Sequence, residues 1–336
     1  MKRVGVFAAD ESLQNEQVLA QLSVGYDLVP HPNWRSYDPT ALLNAMRDVD
    51  VIITGRSSPR LPDELAQNFG RLKWLCHCHG TVRHLVSKQL IAAGLIVTNW
   101  GDAVDGVAEG AMALLLCMLK QLPALDAITK TGGPWLPGDT RIFQAFPCTL
   151  KNLDVGLYGF GPIGQHMARM LEPFGPKIAI YDPYAKNIPP HIRVCSSLRE
   201  LFSTCQAISV HCGLNDATHH SINAELLALL PQGAIIVNTA RGAIIDEHAL
   251  AAAVSAGRVL AGIDVIEHEK DWSQSPLATL SGVVLTGHRV GSGKGFPPNA
   301  KPAPKLPDFV LHNLLAFNEN KPLINVITAD IYDLKT

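Results

Sequence analysis

Nothing in this sequence approaches the roughly 18 consecutive apolar residues of a membrane-spanning helix, so no membrane partner is expected. Nor is there a surplus of charge: 28 basic residues stand against 30 acidic ones, a formal net charge of −2. That balance leaves no electrostatic footprint for nucleic acid or an anionic membrane. Disulfide-framework spacing is also missing. Seven cysteines are scattered along the chain, which fits a reducing, cytoplasmic setting. No internal repeat is present, and low complexity is confined to 291–305, rich in Gly, Pro and Lys. The start, Met1-Lys2-Arg3-Val4-Gly5-Val6-Phe7, imitates the charged opening of a secretory signal. Its apolar part stops at Asp10-Glu11, however, so it reads as a first strand.

What is present is an apolar chain, 47% hydrophobic and 17% charged over 336 residues, long enough for two domains of ordinary size. Strands are expected at 4–7, 26–29, 51–54, 72–78 and 95–98. Helices are expected at 13–22, after the Asp38-Pro39-Thr40 start at 41–46, from Pro62 onward, and at 86–93. This alternation is the pattern of βαβ units and a parallel sheet. A helix at 104–121, nearly all apolar from Ala111 to Met118, is expected to be buried on all sides. A loop at 131–138 carries Trp135. A second α/β series follows, with strands at 154–158, 177–181, 206–211, 234–238, 259–265 and 282–286 and a last helix near 307–317. The pattern predicts a cofactor domain, 103–289, inserted into a substrate domain made of 1–102 and 290–336. Ligands would sit in the cleft between the two, at the carboxyl ends of the strands.

The chain is organised around Asp154-Val155-Gly156-Leu157-Tyr158-Gly159-Phe160-Gly161-Pro162-Ile163-Gly164. It reads as a strand, a glycine turn and a helix over 162–171. Gly159 allows the tight turn, Gly161 lets the backbone approach a pyrophosphate, and Gly164 lets the helix pack on the strand. The helix start, with Pro162 and Ile163, offers free N–H groups and partial positive charge to that pyrophosphate. A second apolar run, Ile178-Ala179-Ile180-Tyr181, ends at Asp182. An acid roughly 20 residues past the glycines can bind the ribose hydroxyls of NAD, where a 2′-phosphate would meet a like charge. Lys186 nearby leaves NADP open.

Three polar positions follow strand ends in this series. Arg241, in Asn238-Thr239-Ala240-Arg241-Gly242, has a planar fork suited to a carboxylate. Asp264 continues an apolar strand, where a lone acid needs a partner. Glu267 and Glu269 beyond it would share a face if the strand period persists. His288, in Thr286-Gly287-His288-Arg289, is a natural proton acceptor for alcohol oxidation, and a carboxylate beside it would orient the ring.

With these motifs in hand, the chain resembles the D-isomer-specific 2-hydroxyacid dehydrogenases, most densely from Val107 to His288. Val107-Ala108-Glu109 is similar to that family's interdomain helix. Asn238-Thr239-Ala240-Arg241-Gly242 with Asp246-Glu247-His248-Ala249-Leu250 is similar to its most specific signature, and Asp264-Val265, Glu269 and His288 to its acid–base pair. The resemblance implies a Rossmann NAD-binding domain inserted into a flavodoxin-like substrate domain. It implies that Arg241 holds the substrate carboxylate, that His288 exchanges the proton, and that Glu269 stabilises the protonated imidazole. Asp264 would bind the nicotinamide carboxamide, Thr239 and Ala240 the nicotinamide ribose, and His211-Cys212-Gly213 the adenosine side. The backbone of His79-Gly80-Thr81 would receive the carboxylate as well. A homodimer through the cofactor domain is implied, with helix 104–121 and the Trp135 loop as candidate surfaces. The chain departs from the family where Lys270, Gly287 and Gly213 stand in place of prolines. The first of these departures leaves Glu267 a rival to Glu269.

The run Cys76-His77-Cys78-His79 suggests a metal site only until strand geometry is applied. Alternate side chains point to opposite faces, so the four cannot converge, and no metal is expected there. The resemblance places the loop from Cys76 to His84 over the substrate, and its basic, polar character then suggests an acid with extra hydroxyls or a second acidic group. The leading expectation is an NAD-dependent oxidoreductase interconverting a D-2-hydroxy acid and its 2-oxo acid. A formate dehydrogenase is disfavoured, because that branch carries Gln where Glu269 stands. The alternatives are an NAD(H)-sensing protein like the transcriptional corepressors of this fold, or a paralogue that has lost catalysis.

Overall fold

The computed structural model describes residues 1–8, 13–101, 104–132, 147–291 and 306–335. The Trp135 loop and most of the 291–305 tract lie outside these. The chain divides into two compact units, Met1–Ala103 with Gly295–Thr336, and Val104–Lys294.

The first unit opens with β1 (Lys2–Val6), α1 (Glu16–Leu22), β2 (Tyr26–Pro30), α2 (Pro39–Arg47), β3 (Val51–Thr54), β4 (Trp74–His77), α3 (Lys88–Ala92) and β5 (Ile96–Thr98). The strands pair in parallel in the order β2-β1-β3-β4-β5, the doubly wound order of flavodoxin-like sheets. Local chemistry starts α2 as expected: Asp38 accepts from the Ala41 N–H at 2.8 Å and Pro39 fills the first turn. Pro62 opens only a 3₁₀ turn, Asp63–Gln67, with Leu65 as its one buried residue. Five residues with one anchor do not sustain an α-helix.

The second unit contains α4 (Asp105–Leu119), α5 (Leu122–Lys130), β6 (Asp154–Tyr158), α6 (Pro162–Leu171), β7 (Lys177–Tyr181), β8 (Arg193–Val194), α7 (Leu198–Thr204), β9 (Ala207–Val210), α8 (Ala224–Leu229), β10 (Ala234–Asn238), α9 (Glu247–Ser255), β11 (Val259–Ile263) and β12 (Val283–Leu285). Its seven parallel strands run β12-β11-β10-β9-β6-β7-β8. The order reverses between β6 and β9, which puts the glycine turn and His211 at the switch point where such sheets bind ligands. Successive residues feed opposite cores. Ile235 and Val237 pack in the cluster that holds Leu115 of α4 and Met167 of α6, and Ile236 packs with Phe202 and Leu250.

The expectation for helix 104–121 needs correction. α4 buries Ala108, Ala111, Leu115 and Met118, but Glu109 and Ala113 are exposed and Leu116 and Cys117 half-buried. Its apolar character serves one sheet-facing side, where it packs on β10 and β11. Small residues permit that approach: a Cβ on Gly262 would stand 3.0 Å from Leu114 Cβ. The chain also breaks sooner than expected. Gln121 takes a left-handed φ of 48°, and Pro123 in the first turn of α5 has no N–H to continue the previous ladder. Among the described residues no single helix is long and apolar enough to cross a membrane; α4 and α5 together pass that test but are bent by 53°.

The chain then returns to the first unit as α10 (Asp308–Asn318) and α11 (Tyr332–Lys335). Val310 and Leu314 join one core cluster with Val4, Val6 and Trp74. The Tyr26 hydroxyl donates to the Leu314 carbonyl at 2.6 Å, and Tyr332 to that of Val86 at 2.6 Å.

Candidate active site

The glycine turn is fixed by close backbone approach. Gly159 has φ 98°, and a Cβ there would stand 2.5 Å from the Cys212 N; one on Gly164 would stand 2.3 Å from the Gly159 carbonyl oxygen. Both positions therefore require glycine. A Cβ on Gly161 would meet nothing within 4 Å among the described residues, so they leave the space beside it open. Pro162 and Ile163 begin α6, and the Gln165 side chain donates to the Phe160 carbonyl at 3.0 Å. Asp182, just past β7, accepts from the Phe160 N–H at 2.7 Å and the Tyr184 N–H at 2.8 Å. Its carboxylate is thus tethered to the glycine turn itself, a bond the spacing does not reveal.

Past β9, His211 donates its backbone N–H to Tyr158 at 2.7 Å, while both ring nitrogens are buried without a partner. Burial pushes the Cys212 thiol up to about 12. Thr239, past β10, also has a buried hydroxyl without a partner. These orphaned groups, past the ends of β9 and β10, fit residues that await a polar ligand such as a dinucleotide.

Asn238 shapes the next turn, accepting from the Ala240 N–H at 3.0 Å and donating to the Arg241 carbonyl at 2.9 Å. The Arg241 guanidinium donates to the Ala240 carbonyl at 2.6 Å. Gly242 is forced by a neighbour far along the chain: a Cβ there would stand 1.9 Å from the Ile266 carbonyl carbon. The Arg241 turn is therefore packed directly against the segment leading to Glu269.

Asp264 is buried and well satisfied. One oxygen accepts from the Thr286 hydroxyl at 2.6 Å and from the N–H groups of Arg289 at 2.9 Å and Val290 at 3.1 Å. The Asp264 carbonyl accepts from the His288 N–H at 2.6 Å. This acid thus organises the whole 286–290 turn, and Thr286 is a supporting residue that the sequence offered without a role. Gly287 and His288 take left-handed φ values of 62° and 57°. Proline cannot adopt that angle, so glycine at 287 goes with a turn of different shape, not merely a looser one.

His288 Nδ1 lies 2.8 Å from Glu269 Oε2, with both side chains partly exposed. Glu267 does not share their face. Its carboxylate lies 3.1 Å from His220 Nε2, and its N–H donates to Glu247 at 3.2 Å. The strand ends at Ile263 and the chain turns, so the two-residue period expected for these acids does not apply.

The remaining expected residues lie in the first unit. Past β4, the His79 carbonyl accepts from the Trp100 N–H at 3.1 Å and the Gly80 carbonyl from the Asn99 side chain at 2.5 Å. The Thr81 hydroxyl accepts from the Arg83 N–H at 3.4 Å. Cys76 and Cys78 belong to an apolar core cluster, whereas His77 turns to the Thr54 hydroxyl at 3.0 Å and stacks edge-on to His79.

Two of these imidazoles carry a stability prediction. Burial pushes His211 down to about 4, and burial with His79 and His84 beside it pushes His77 down to about 3. Both are neutral in the fold, while the unfolded chain takes up their protons near 6.5. The unfolded state binds more protons below that pH, so stability falls as pH drops from about 6.5 to about 4, and for His77 somewhat further. Urea midpoints should be flat above about pH 7 and fall with a slope below it as these two rings, with His31 and His84 that burial also lowers, take up protons in the unfolded chain. His211→Asn should remove about one proton from that slope; an unchanged slope would refute its buried neutral state.

Residues 112–289 match the family model described as D-isomer specific 2-hydroxyacid dehydrogenase, NAD binding domain. The chain belongs to that family. It is 31% identical over 277 residues to the glyoxylate/hydroxypyruvate reductase HPR3 of Arabidopsis thaliana, covering 81% of this chain and 82% of that one. Two solved structures share the fold. An NADPH-dependent glyoxylate/hydroxypyruvate reductase from Sinorhizobium meliloti, in complex with NADP and malonate, has a TM-score of 0.73 at 23% identity over 100% of this chain and 98% of that one. The D-lactate dehydrogenase of Aquifex aeolicus, complexed with NAD and lactic acid, has a TM-score of 0.72 at 22% identity over 94% and 96%. The protein is thus an oxidoreductase of the D-2-hydroxyacid dehydrogenase family with an NAD-binding domain.

Proposed function

We propose that the protein is an NAD(H)-dependent D-2-hydroxyacid dehydrogenase, acting as a 2-oxo acid reductase when NADH is supplied. The reading rests chiefly on one observation: His288 Nδ1 is held by Glu269 at 2.8 Å, on a turn tied down by buried Asp264. A ring whose Nδ1 faces a carboxylate carries its hydrogen there, which leaves Nε2 as the base. On oxidation Nε2 takes the hydroxyl proton of the substrate, and on reduction it returns that proton to the carbonyl oxygen. Glu269 stabilises the imidazolium formed in between. Arg241, on the adjacent turn, holds the substrate carboxylate in two-point contact and orients the C2 carbon.

The dinucleotide, when bound, supplies the hydride exchange at C4 of its nicotinamide. Gly159, Gly161, Pro162, Ile163 and Gly164 would line its pyrophosphate and Asp182 its adenosine ribose. His211 and Cys212 would flank the adenosine side, Thr239 and Ala240 the nicotinamide ribose, and Asp264 the carboxamide. The Asp182 carboxylate, fixed beside the glycine turn, supports NAD over NADP by repelling a 2′-phosphate. Cysteine usage supports a cytoplasmic enzyme, and the resemblance supports a homodimer.

The test is oxidation of NADH and NADPH against glyoxylate, hydroxypyruvate, pyruvate, branched and aromatic 2-oxo acids and sugar-derived acids. The expected result is highest kcat/KM on glyoxylate or hydroxypyruvate, the substrates in the name of the Arabidopsis relative, with NADH preferred by roughly tenfold or more, about 1.4 kcal/mol. Turnover only with NADPH would overturn the cofactor assignment. Tight NADH binding with every acid inert would favour the sensor or decayed-paralogue readings.

A further inference from the structure

Apart from the residues assigned above, two segments remote in sequence bring three metal-binding side chains together. His219 and His220 sit side by side in the turn after β9, their rings stacked with centroids 4.1 Å apart and planes within 28°. His220 Nε2 lies 3.1 Å from Glu267 Oε2, and His219 Nε2 lies 4.0 Å from Glu267 Oε1. Each imidazole thus faces a different oxygen of one carboxylate, and the three donor groups fall within 4.8 Å of one another.

The surroundings hold this arrangement. The His220 N–H donates to the Ala243 carbonyl at 2.8 Å, and the residue takes a left-handed φ of 47°, a conformation rare outside glycine. The Glu267 N–H is bound by Glu247, whose other oxygen accepts from the Ser275 hydroxyl. One cation shared between the two imidazoles and the carboxylate would satisfy all three groups at once. The His219 side chain is 51% exposed, so the cluster is open to ions from solution.

We propose that His219, His220 and Glu267 form a binding site for one divalent transition-metal ion of the zinc type. Two imidazole nitrogens and one carboxylate oxygen suit zinc, cobalt or nickel, whereas magnesium and calcium take oxygen donors. Bonds of about 2.0–2.2 Å in a tetrahedron put donors roughly 3.3–3.5 Å apart. The His220–Glu267 pair is already near that spacing, and the exposed His219 must close by up to about 1.5 Å. Water completes the fourth position. The ion would clip the 213–221 turn to the segment after β11.

The experiment uses full-length, untagged protein stripped with EDTA. Cobalt is titrated while its visible d–d absorption is followed, zinc stoichiometry is measured by equilibrium dialysis, and Tm is recorded with and without zinc. The expected result is one ion per chain with an intense tetrahedral spectrum, and a Tm that rises with zinc as binding to the folded state requires. His219→Ala and Glu267→Gln should each weaken binding by roughly tenfold or more, as loss of one donor implies, and abolish the Tm rise. His219 is exposed, so its removal leaves the fold intact, and it decides alone should Glu267→Gln fail to fold. Absence of saturable binding, or an unchanged spectrum and stoichiometry in His219→Ala, would overturn the site. None of these readouts depends on turnover, so failure here is separate from failure of the dehydrogenase reading.

Discussion

Replacing His288 with alanine is expected to lower kcat for 2-oxo acid reduction by roughly 10²–10⁴-fold, the range for losing a positioned acid–base group. NADH affinity should change little, because the cofactor assignment places no weight on the imidazole. Arg241→Ala should act differently. It removes two charge-assisted hydrogen bonds at about 1.5–3 kcal/mol each, so kcat/KM should fall roughly 10²–10⁴-fold with KM raised. Glu269→Gln keeps the shape of the Glu269–His288 contact, which stands at 2.8 Å, but removes the charge that stabilises an imidazolium. Its defect should be smaller than that of His288→Ala and greatest at the pH where the protonated ring is needed. The double variant Glu269→Gln/His288→Ala should be no worse than His288→Ala alone, since the acid acts only through the ring. Stopped-flow and steady-state kinetics with NADH and the best 2-oxo acid measure all four. Additive losses in the double variant would show that Glu269 works elsewhere, and a His288→Ala enzyme of near-normal kcat would remove the proposed proton path.

How much of this was legible in the sequence differs from residue to residue, for physical reasons. The glycine turn could be read because each glycine answers a local demand, and the contacts at Gly159 and Gly164 fall within the strand–turn–helix or on the neighbouring strand end. The buried strands of both units could be read from their apolar runs, β10 and β3 to the residue. β8 could not: it is a two-residue edge strand, exposed at both positions, and carries no apolar pattern. The end of α4 was hidden because Leu122 and Pro123 continue the apolar composition while reversing the backbone. At the site, Asp264 announced itself as an acid in an apolar strand, but its partner Thr286 lies on another strand end. The divergence of Glu267 and Glu269 was invisible, because it depends on where the strand stops and on His220, 47 residues away. Gly242 looked like an ordinary turn residue, and only the approach of Ile266 explains it.

Gly161 and Gly164 offer a sharper separation of fold from ligand than any polar residue here. Gly164→Ala should destabilise the protein by about 1–3 kcal/mol, the usual cost of forcing atoms into a packed interior, since its Cβ would stand 2.3 Å from a backbone oxygen that cannot swing aside. Gly161→Ala should not. Its φ of −70° and ψ of −167° are open to any L residue, and its Cβ would meet nothing within 4 Å among the described residues. Removing a glycine at a compatible position even stabilises by about 0.4–1 kcal/mol through the unfolded chain. Yet if the pyrophosphate rests against this backbone, the added methyl group occupies ligand space, and NADH affinity should drop by roughly tenfold or more, about 1.4 kcal/mol. Tm and NADH fluorescence titration on the two variants give the contrast. A Gly161→Ala protein that keeps both its Tm and its NADH affinity would mean that the dinucleotide does not approach the chain here, and a loss of Tm would mean that the open space at Gly161 is filled by the protein itself.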